Sequence, residues 1–388
     1  MTEHFEGEAI SQALELHKRH GGKITIASRV DQLDAQSLAQ YYTPGVADVS
    51  RHLAEQPQDM SLYTAPARAV AVVSDGSAVL GLGNVGPEAA MPVMEGKALL
   101  FKELAGLDAW PIVLSTQDPD EIVAAVTAIA PGFGGINLED IAAPQCFEIE
   151  RRLKESLKIP VVHDDQHATA IVVLAGLINA LKIVGKTLDE ISVVINGAGA
   201  AGSAIIELLI SAGVKQIIAV DSQGIICLTR PGLSDEKQHI AHLTQCNQSG
   251  LLDDAVQGAD VLIGVSVGKA FTEAHIQSMA ESAIVFALAN PEPEIMPNLA
   301  IMAGAKIVAT GRSDFPNQIN NVLVFPGLFK GLIEAQKRDL TNDDKVRVAQ
   351  ALSAVVDSPV YNHIIPDVFD KRVVPAVSKA VQGDTIHS

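Results

Sequence analysis

Basic residues are scarce in this 388-residue chain: Lys and Arg number 28 against 46 Asp and Glu, a formal net charge of −18. Nucleic acid and anionic membrane surfaces are polyanions that bind through clustered positive charge, so neither is expected as a partner. Cysteine is equally sparse. Its three copies, Cys146, Cys227 and Cys246, make neither a disulfide framework nor a C-x-x-C metal knuckle, and scattered reduced thiols are expected. Long apolar runs are missing too. The longest helix-like one, Ala168 to Ile178, falls well short of the roughly 20 residues that cross a bilayer. The acidic start, Met1 to Glu8, lacks the basic and apolar regions of a secretory signal. Together these absences lead us to expect a cytoplasmic protein.

What is present is a large apolar fraction, 48% of the residues, enough to bury more than one domain core. Short β-rich runs alternate with helical patterns, which predicts an α/β fold with largely parallel sheets. Strands are expected at 69–73, 110–114, 135–138, 160–162, 191–195 and 216–220, and helices at 92–103, 119–130, 145–157, 166–184 and 201–212. A further amphipathic helix is expected over 341–356, after a polar cap. The 166–184 helix is apolar throughout and is expected to link or underlie two domains. No repeat or Ser/Gly-rich linker marks their boundary, so its position near residue 165 rests on a change of motif alone.

Gly197, Gly199 and Gly202 form G-x-G-x-x-G directly after a β-branched strand and at the start of a helix. Absent side chains let the backbone, including Ala200 and Ala201, approach a pyrophosphate that the helix N-terminus stabilises. Asp221 ends the next strand, nineteen residues beyond Gly202, where a carboxylate accepts hydrogen bonds from ribose hydroxyls. That carboxylate would repel a 2′-phosphate, and nearby Gln223 brings no positive charge, so NAD is expected rather than NADP.

Two acidic pairs, Glu139-Asp140 and Asp164-Asp165, each close a short apolar run, where the ligands of α/β sheets collect. Most acidic residues are solvated surface charges, but this placement suits a hard divalent cation such as Mg²⁺ or Mn²⁺, which prefers carboxylate oxygens and keeps positions open for substrate. His163 and His167 also show the H-x-x-x-H spacing of zinc proteases. Zinc is not expected: Asp164 stands where the catalytic Glu belongs, and His163 ends a strand.

Eight motifs in order resemble the malic enzymes, in their short bacterial form. They are Tyr42-Thr43-Pro44-Gly45-Val46, Val79-Leu80-Gly81-Leu82-Gly83-Asn84-Val85-Gly86, Pro92-Val93-Met94-Glu95-Gly96-Lys97, Asn137-Leu138-Glu139-Asp140, His163 to His167, the glycine loop, Ala289-Asn290-Pro291, and Asn320-Asn321 ahead of Phe325-Pro326-Gly327. The resemblance implies an N-terminal α/β substrate and metal domain over residues 1–164 and a C-terminal Rossmann-type NAD-binding domain over 165–388. It implies oxidative decarboxylation of L-malate to pyruvate and CO₂ with NAD and Mn²⁺ or Mg²⁺. Glu139, Asp140 and Asp165 would bind the metal, with Asp164 beside them. Lys97 would be the general base and Tyr42 the general acid. Asn290 and Asn321 would hold a substrate carboxylate, and Asn290 would also border the cofactor.

The chemistry is coherent with those roles. Lys97 could accept the C2 hydroxyl proton if a dry, cationic setting lowered its pKa. The resulting ketone is β to a carboxylate, so CO₂ can leave into an enolate whose charge a metal offsets. Two departures from the family pattern stand out: Ala168 replaces a usual Gly, and Ala78 occupies a place where long forms carry a substrate-binding Arg. The resemblance also implies a homodimer, with Tyr42 acting in the neighbouring subunit. Three competing functions share parts of this pattern. They are a malolactic lyase that returns the hydride to give lactate, a simple 2-hydroxy acid dehydrogenase, and a non-catalytic NAD sensor that would leave Lys97 and the acidic pairs idle.

Overall fold

The computed structural model describes residues 3–79 and 81–383; Leu80 of the glycine-rich stretch, and Met1 and Thr2 of the acidic start, lie outside the described residues. Four parallel strands form a first sheet: β1 (Ala69–Ser74), β2 (Asp108–Val113), β3 (Gly135–Leu138) and β4 (Val161–His163), in the order β2-β1-β3-β4. The second sheet holds β5 (Ser192–Asn196), β6 (Gln216–Asp221), β7 (Gly224–Ile225), β8 (Val261–Gly264), β9 (Ile284–Ala287) and β10 (Ile307–Thr310). Its order is β10-β9-β8-β5-β6-β7, parallel except for β7 against β6. Continuous apolar runs explain the central strands. Every residue of β1, Ala-Val-Ala-Val-Val-Ser, is buried, as a parallel strand covered on both faces requires.

Each sheet reverses its strand order once, between β1 and β3 in the first and between β5 and β8 in the second. Beyond the carboxyl ends of strands at such reversals the connecting loops part and leave a crevice. Glu139-Asp140 and the glycine loop lie at these ends, and Asp164-Asp165 lie at the carboxyl end of the adjacent edge strand β4.

The long helix Asp164–Val184 runs through the core. Its buried side chains join Val70 and Val72 of β1 and Val193 and Ile195 of β5 in one continuous apolar cluster. It is 21 residues long, with a mean hydropathy of 1.8, which is long and apolar enough to cross a membrane. The eleven-residue apolar run read from the sequence therefore understates the element. Two-thirds of its most apolar window is buried inside the protein, and packing between two sheets accounts for its hydrophobicity without a bilayer. Ala168, the substitution for the usual Gly, is fully buried within the same cluster.

One helix starts earlier than expected. It spans Pro87–Leu100 and continues into a π turn, Phe101–Ala105. Gly86, at φ 79°, makes the turn that a side chain would strain, and Pro87 then takes the first-turn position that suits proline. Pro92 is thereby left in the helix interior, at the expense of one backbone hydrogen bond. The helix Asn342–Ala354 begins as the polar cap suggests, with Thr341 and Asp344 capping each other's backbone N–H.

Candidate active site

Lys97 projects from the Pro87–Leu100 helix into the crevice of the first sheet, where it is almost wholly buried. Its Nζ lies 2.8 Å from Glu139 Oε1 and 2.6 Å from Asp164 Oδ2. It also stands 4.0 Å above the centre of the Phe325 ring, which packs edge-on against Phe101. Asn137 donates to Glu139 Oε2 at 2.8 Å, and Asn321 donates to Asp164 Oδ2 at 2.5 Å. The Asp140 backbone N–H donates to Asp165 Oδ2 at 3.1 Å, tying the two acidic pairs together. Glu139 and Asp140 follow β3 as expected. Asp164 and Asp165 form the first turn of the long helix immediately after β4.

The setting of Lys97 is anionic, not the dry, cationic one that would lower its pKa. Burial would lower its pKa, but the charges of Asp164 and Glu139 outweigh burial and hold the ammonium above its usual range. Among the acids, burial and then the neighbouring carboxylates Asp165 and Glu139 push Asp140 up to about 8. Asp164 is likewise pushed up to about 8, by burial first and by Glu139 and Asp165 against the pull of Lys97. Burial also raises Glu139. One lysine therefore faces four carboxylates, and two buried oxygens, Asp140 Oδ2 and Asp164 Oδ1, have no hydrogen-bond partner. Buried acceptors and uncompensated negative charge both fit a hard divalent cation. Oxygens of Glu139, Asp164 and Asp165 converge to within 4.8 Å, so Asp164 belongs geometrically to the cluster. His167 takes no part in it. Its Nε2 bonds to Glu150 at 2.8 Å, and burial lowers its pKa to about 4 despite that carboxylate, leaving the ring neutral at pH 7.

Beside the cluster opens a cavity of about 710 Å³ whose walls include Asp140, Asp165, Ala200, Ala201, Asn290 and Asn321. Ala78 also lines it, in the place where long forms carry Arg. A second cavity of about 550 Å³ is lined by Gly197, Gly199, Asp221 and Lys237, and Ser266 and Val267 border both. The glycines have distinct reasons to be there. Gly197 has φ 122°, and a Cβ on it would lie 2.6 Å from the Val265 carbonyl. A Cβ on Gly202 would lie 1.9 Å from the Gly197 carbonyl, so helix and strand could not approach as they do. Gly199 faces open space, the room a diphosphate needs.

Asp221 sits where expected, but its surroundings were not foreseen from Gln223 alone. Arg230 grips both carboxylate oxygens, at 2.9 and 2.8 Å, and Lys237 Nζ adds a bond of 2.7 Å to Oδ2. The Gln223 N–H donates to Oδ1 at 2.8 Å. All four acceptor positions are thus engaged. Burial opposes ionisation, yet Arg230 and Lys237 bring the pKa down to about 2. Two cations beside one anion leave net positive charge at the ribose end, so repulsion by Asp221 alone does not describe that end of the site.

Tyr42 is not brought to this site within one chain. It caps the Ala35–Tyr41 helix, is 67% exposed, and lines neither cavity. That helix and the following Val46–Glu55 helix bury no side chain. Phe325 under Lys97, Asn137 on Glu139, and the Arg230–Lys237 pair carried no local signal that assigned them roles, since each meets its partner only through the fold.

A family model described as "Malic enzyme, N-terminal domain" matches residues 23–119 and 115–154, and one described as "Malic enzyme, NAD binding domain" matches residues 167–383. A bifunctional malic/malolactic enzyme of Bacillus subtilis (strain 168) is 53% identical over 374 residues, covering 95% of this chain and 91% of the relative. An NAD-dependent malic enzyme of Geobacillus stearothermophilus is 53% identical over 364 residues, covering 93% and 76%. Among solved structures, an NAD-dependent malic enzyme of Thermotoga maritima superposes with a TM-score of 0.93 at 49% identity, covering 96% of this chain and 99% of that one. Motif order, site geometry and similarity along nearly the whole length agree that the chain belongs to the malic enzyme family.

Proposed function

We infer that the protein oxidises L-malate with NAD and releases pyruvate and CO₂, using a divalent cation. The observation that carries this reading is Lys97, held between Glu139 and Asp164 beside a cavity that also reaches the nucleotide loop. NAD supplies the hydride acceptor. A bound Mn²⁺ or Mg²⁺ supplies positive charge that offsets the carboxylates and polarises the C2 oxygen. Glu139, Asp140 and Asp165 would hold the cation; Asp164 lies with them, its Oδ2 engaged by Lys97 and Asn321 and its Oδ1 buried without a partner.

Lys97 acts as a base only as the neutral amine: once a bound cation offsets Glu139 and Asp164, the ammonium they stabilise would release its proton to solvent, and Nζ would then take the proton of the C2 hydroxyl as the C2 hydride leaves for the nicotinamide. The bond between C3 and the C4 carboxylate then breaks, and CO₂ departs into the enolate of pyruvate. Asn290 and Asn321 present amide donors in the cavity wall, which is how a substrate carboxylate is oriented where Ala78 brings no charge. Tyr42 returns a proton to C3 from the neighbouring subunit of a homodimer. Its exposure, and the exposed apolar side chains Leu38, Tyr41 and Val46 within four residues of it in sequence, support a partner surface there.

The division at residues 164 and 165 places Lys97 and three of the four acids in the N-terminal unit and the nucleotide loop in the other. L-malate is the small-molecule partner. A cytoplasmic location and the absence of nucleic-acid or membrane partners accord with the net charge of −18. The test is an anaerobic assay of purified protein with L-malate, Mn²⁺ and NAD, quantifying NADH, pyruvate, lactate and CO₂. Equal NADH, pyruvate and CO₂ support the reading. Lactate and CO₂ without net NADH would establish the malolactic reaction instead.

A further inference from the structure

The sheet order leaves β4 at an edge, so backbone groups on its outer side have no neighbouring strand. One of these is the N–H of His163, a fully buried residue. Left unpaired, a buried N–H is costly. Glu150, from the helix Gln145–Ser156, accepts it through Oε1 at 3.0 Å. The same carboxylate accepts His167 Nε2 at 2.8 Å through Oε1 and 3.0 Å through Oε2, and Lys154 Nζ lies 2.8 Å from Oε1. His167 Nδ1 is buried without a partner, so Glu150 is the anchor of that ring. Glu150 is itself buried, and although burial opposes its charge, His167 and Lys154 keep it ionised well below the usual carboxylate range.

His163 and His167 bracket Asp164 and Asp165 in sequence, and Glu150 holds both. We propose that Glu150 is a positioning residue for the metal site: its carboxylate pins the strand-to-helix turn at both ends and so presents Asp164 and Asp165 to Lys97 and Asp140. Contacts as short as the 2.6 Å from Asp164 to Lys97 and the 3.1 Å from Asp165 to the Asp140 N–H depend on that turn. A backbone shift at His163 moves both acids at once. The proposal rests on reading the acidic cluster as a divalent-cation site.

The experiment is a Mn²⁺ titration of the purified full chain without malate or NAD, reading free Mn²⁺ by electron paramagnetic resonance. NAD binding and thermal midpoint are measured in parallel. Glu150→Ala is expected to weaken Mn²⁺ binding roughly 10- to 100-fold, the range for partners that orient metal ligands. NAD affinity should stay at the parental value. Glu150→Gln keeps an acceptor for the His163 N–H and should recover most of the loss. Lys154→Met, which leaves both anchors in place, should bind Mn²⁺ as the parent does. If Glu150→Ala does not fold, His167→Leu removes one anchor alone and should weaken Mn²⁺ binding about tenfold, the low end of that range. Parental Mn²⁺ affinity in the folded Glu150→Ala or His167→Leu protein, with only a lower thermal midpoint, would overturn the proposal. Asp165→Asn separates the two ideas: parental Mn²⁺ affinity there would overturn the metal-site reading itself, whereas its loss beside an unchanged Glu150→Ala would overturn only the positioning role.

Discussion

Lys97 Nζ lies 2.6 Å from Asp164 Oδ2, a buried ion pair that Glu139 extends on the other side of the ammonium. The relationship explains why these residues, far apart in sequence, act as one unit. The lysine carries a proton that the surrounding carboxylates hold in place, and anything that offsets those carboxylates loosens it. Replacing Lys97 by Met should lower kcat by roughly 10²- to 10⁴-fold, the usual loss on removing a general base. NAD binding, measured by quenching or calorimetry, should persist because the nucleotide loop stands apart. A variant with near-parental kcat would remove Lys97 from the proton path.

Burial and mutual repulsion push Asp140 and Asp164 up to about 8, so the metal-free cluster should be under electrostatic stress. Chelation is expected to abolish turnover, and adding Mn²⁺ should restore it while raising the thermal midpoint by mass action. Asp140→Asn should raise the midpoint of the metal-free protein, because it removes a carboxylate whose Oδ2 is buried without a partner. The same change should reduce turnover by about 100-fold or more, at least the cost of losing a group that orients the metal. A metal-free midpoint below the parent's would contradict this balance.

Tyr42 is exposed and lines neither cavity of its own chain, and the proposed role across a subunit interface can be tested by mixing variants. Tyr42→Phe and Lys97→Ala proteins should each be nearly inactive alone. After mixing and subunit exchange, one of the two sites in each mixed dimer should combine intact Tyr42 with intact Lys97, about a quarter of all sites if equimolar pairing is random. Recovery of activity supports the shared site, and none at all after verified exchange would place the general acid elsewhere.

Lys237 reaches Asp221 from sixteen residues downstream and lines the cavity that would receive the adenosine ribose. A 2′-phosphate would meet this ammonium as well as Asp221. Lys237→Met should therefore raise KM for NADP by about tenfold, equivalent to losing one charge-assisted hydrogen bond. KM for NAD should move far less. Equal changes for both cofactors would mean that Lys237 does not discriminate between them.

Asp344 stabilises the start of the Asn342–Ala354 helix, accepting from the Thr341 hydroxyl at 2.8 Å and pairing with Lys337 at 2.6 Å. Burial works against its ionisation, but Lys337, Thr341 and Arg347 bring its pKa down to about 2 from 3.8. A depressed folded-state pKa contributes stability that is present above the unfolded value and is lost as pH falls through the folded one. Asp344→Asn should thus cost about 1 kcal/mol at neutral pH, the typical worth of a cap. The difference from the parent should narrow between pH 4 and 2 in denaturant titrations, and a gap that stays constant through that window would mean that charge plays no part.

Features that depend on neighbouring residues were legible in the sequence. The apolar runs of β1 and β3, the glycine loop, and the Thr341 cap all express local physics, and each element lies within a few residues of its expected position. The start of the Pro87–Leu100 helix was missed because Pro92 reads as a helix beginning, whereas Gly86 and Pro87 form the real one. The acidic pairs could be placed at strand ends, but their meeting with Lys97 joins residues 42 and 67 positions apart, and only the sheet order brings them together. For the same reason the acidic surroundings of the lysine could not be read from its own stretch of sequence. Arg230 and Lys237 lay beyond the local window around Asp221, and the role of Glu150 appears only once β4 is seen to be an edge strand.

One divalent cation is expected to bind among these acids next to Lys97. The most direct measurement is an anomalous difference map from crystals of the protein soaked with Mn²⁺. One strong peak in contact with Glu139, Asp140 and Asp165, with Asp164 still on Lys97, is the predicted result. No peak in the cluster under conditions that support turnover, or a peak only at a different set of residues, would contradict the account.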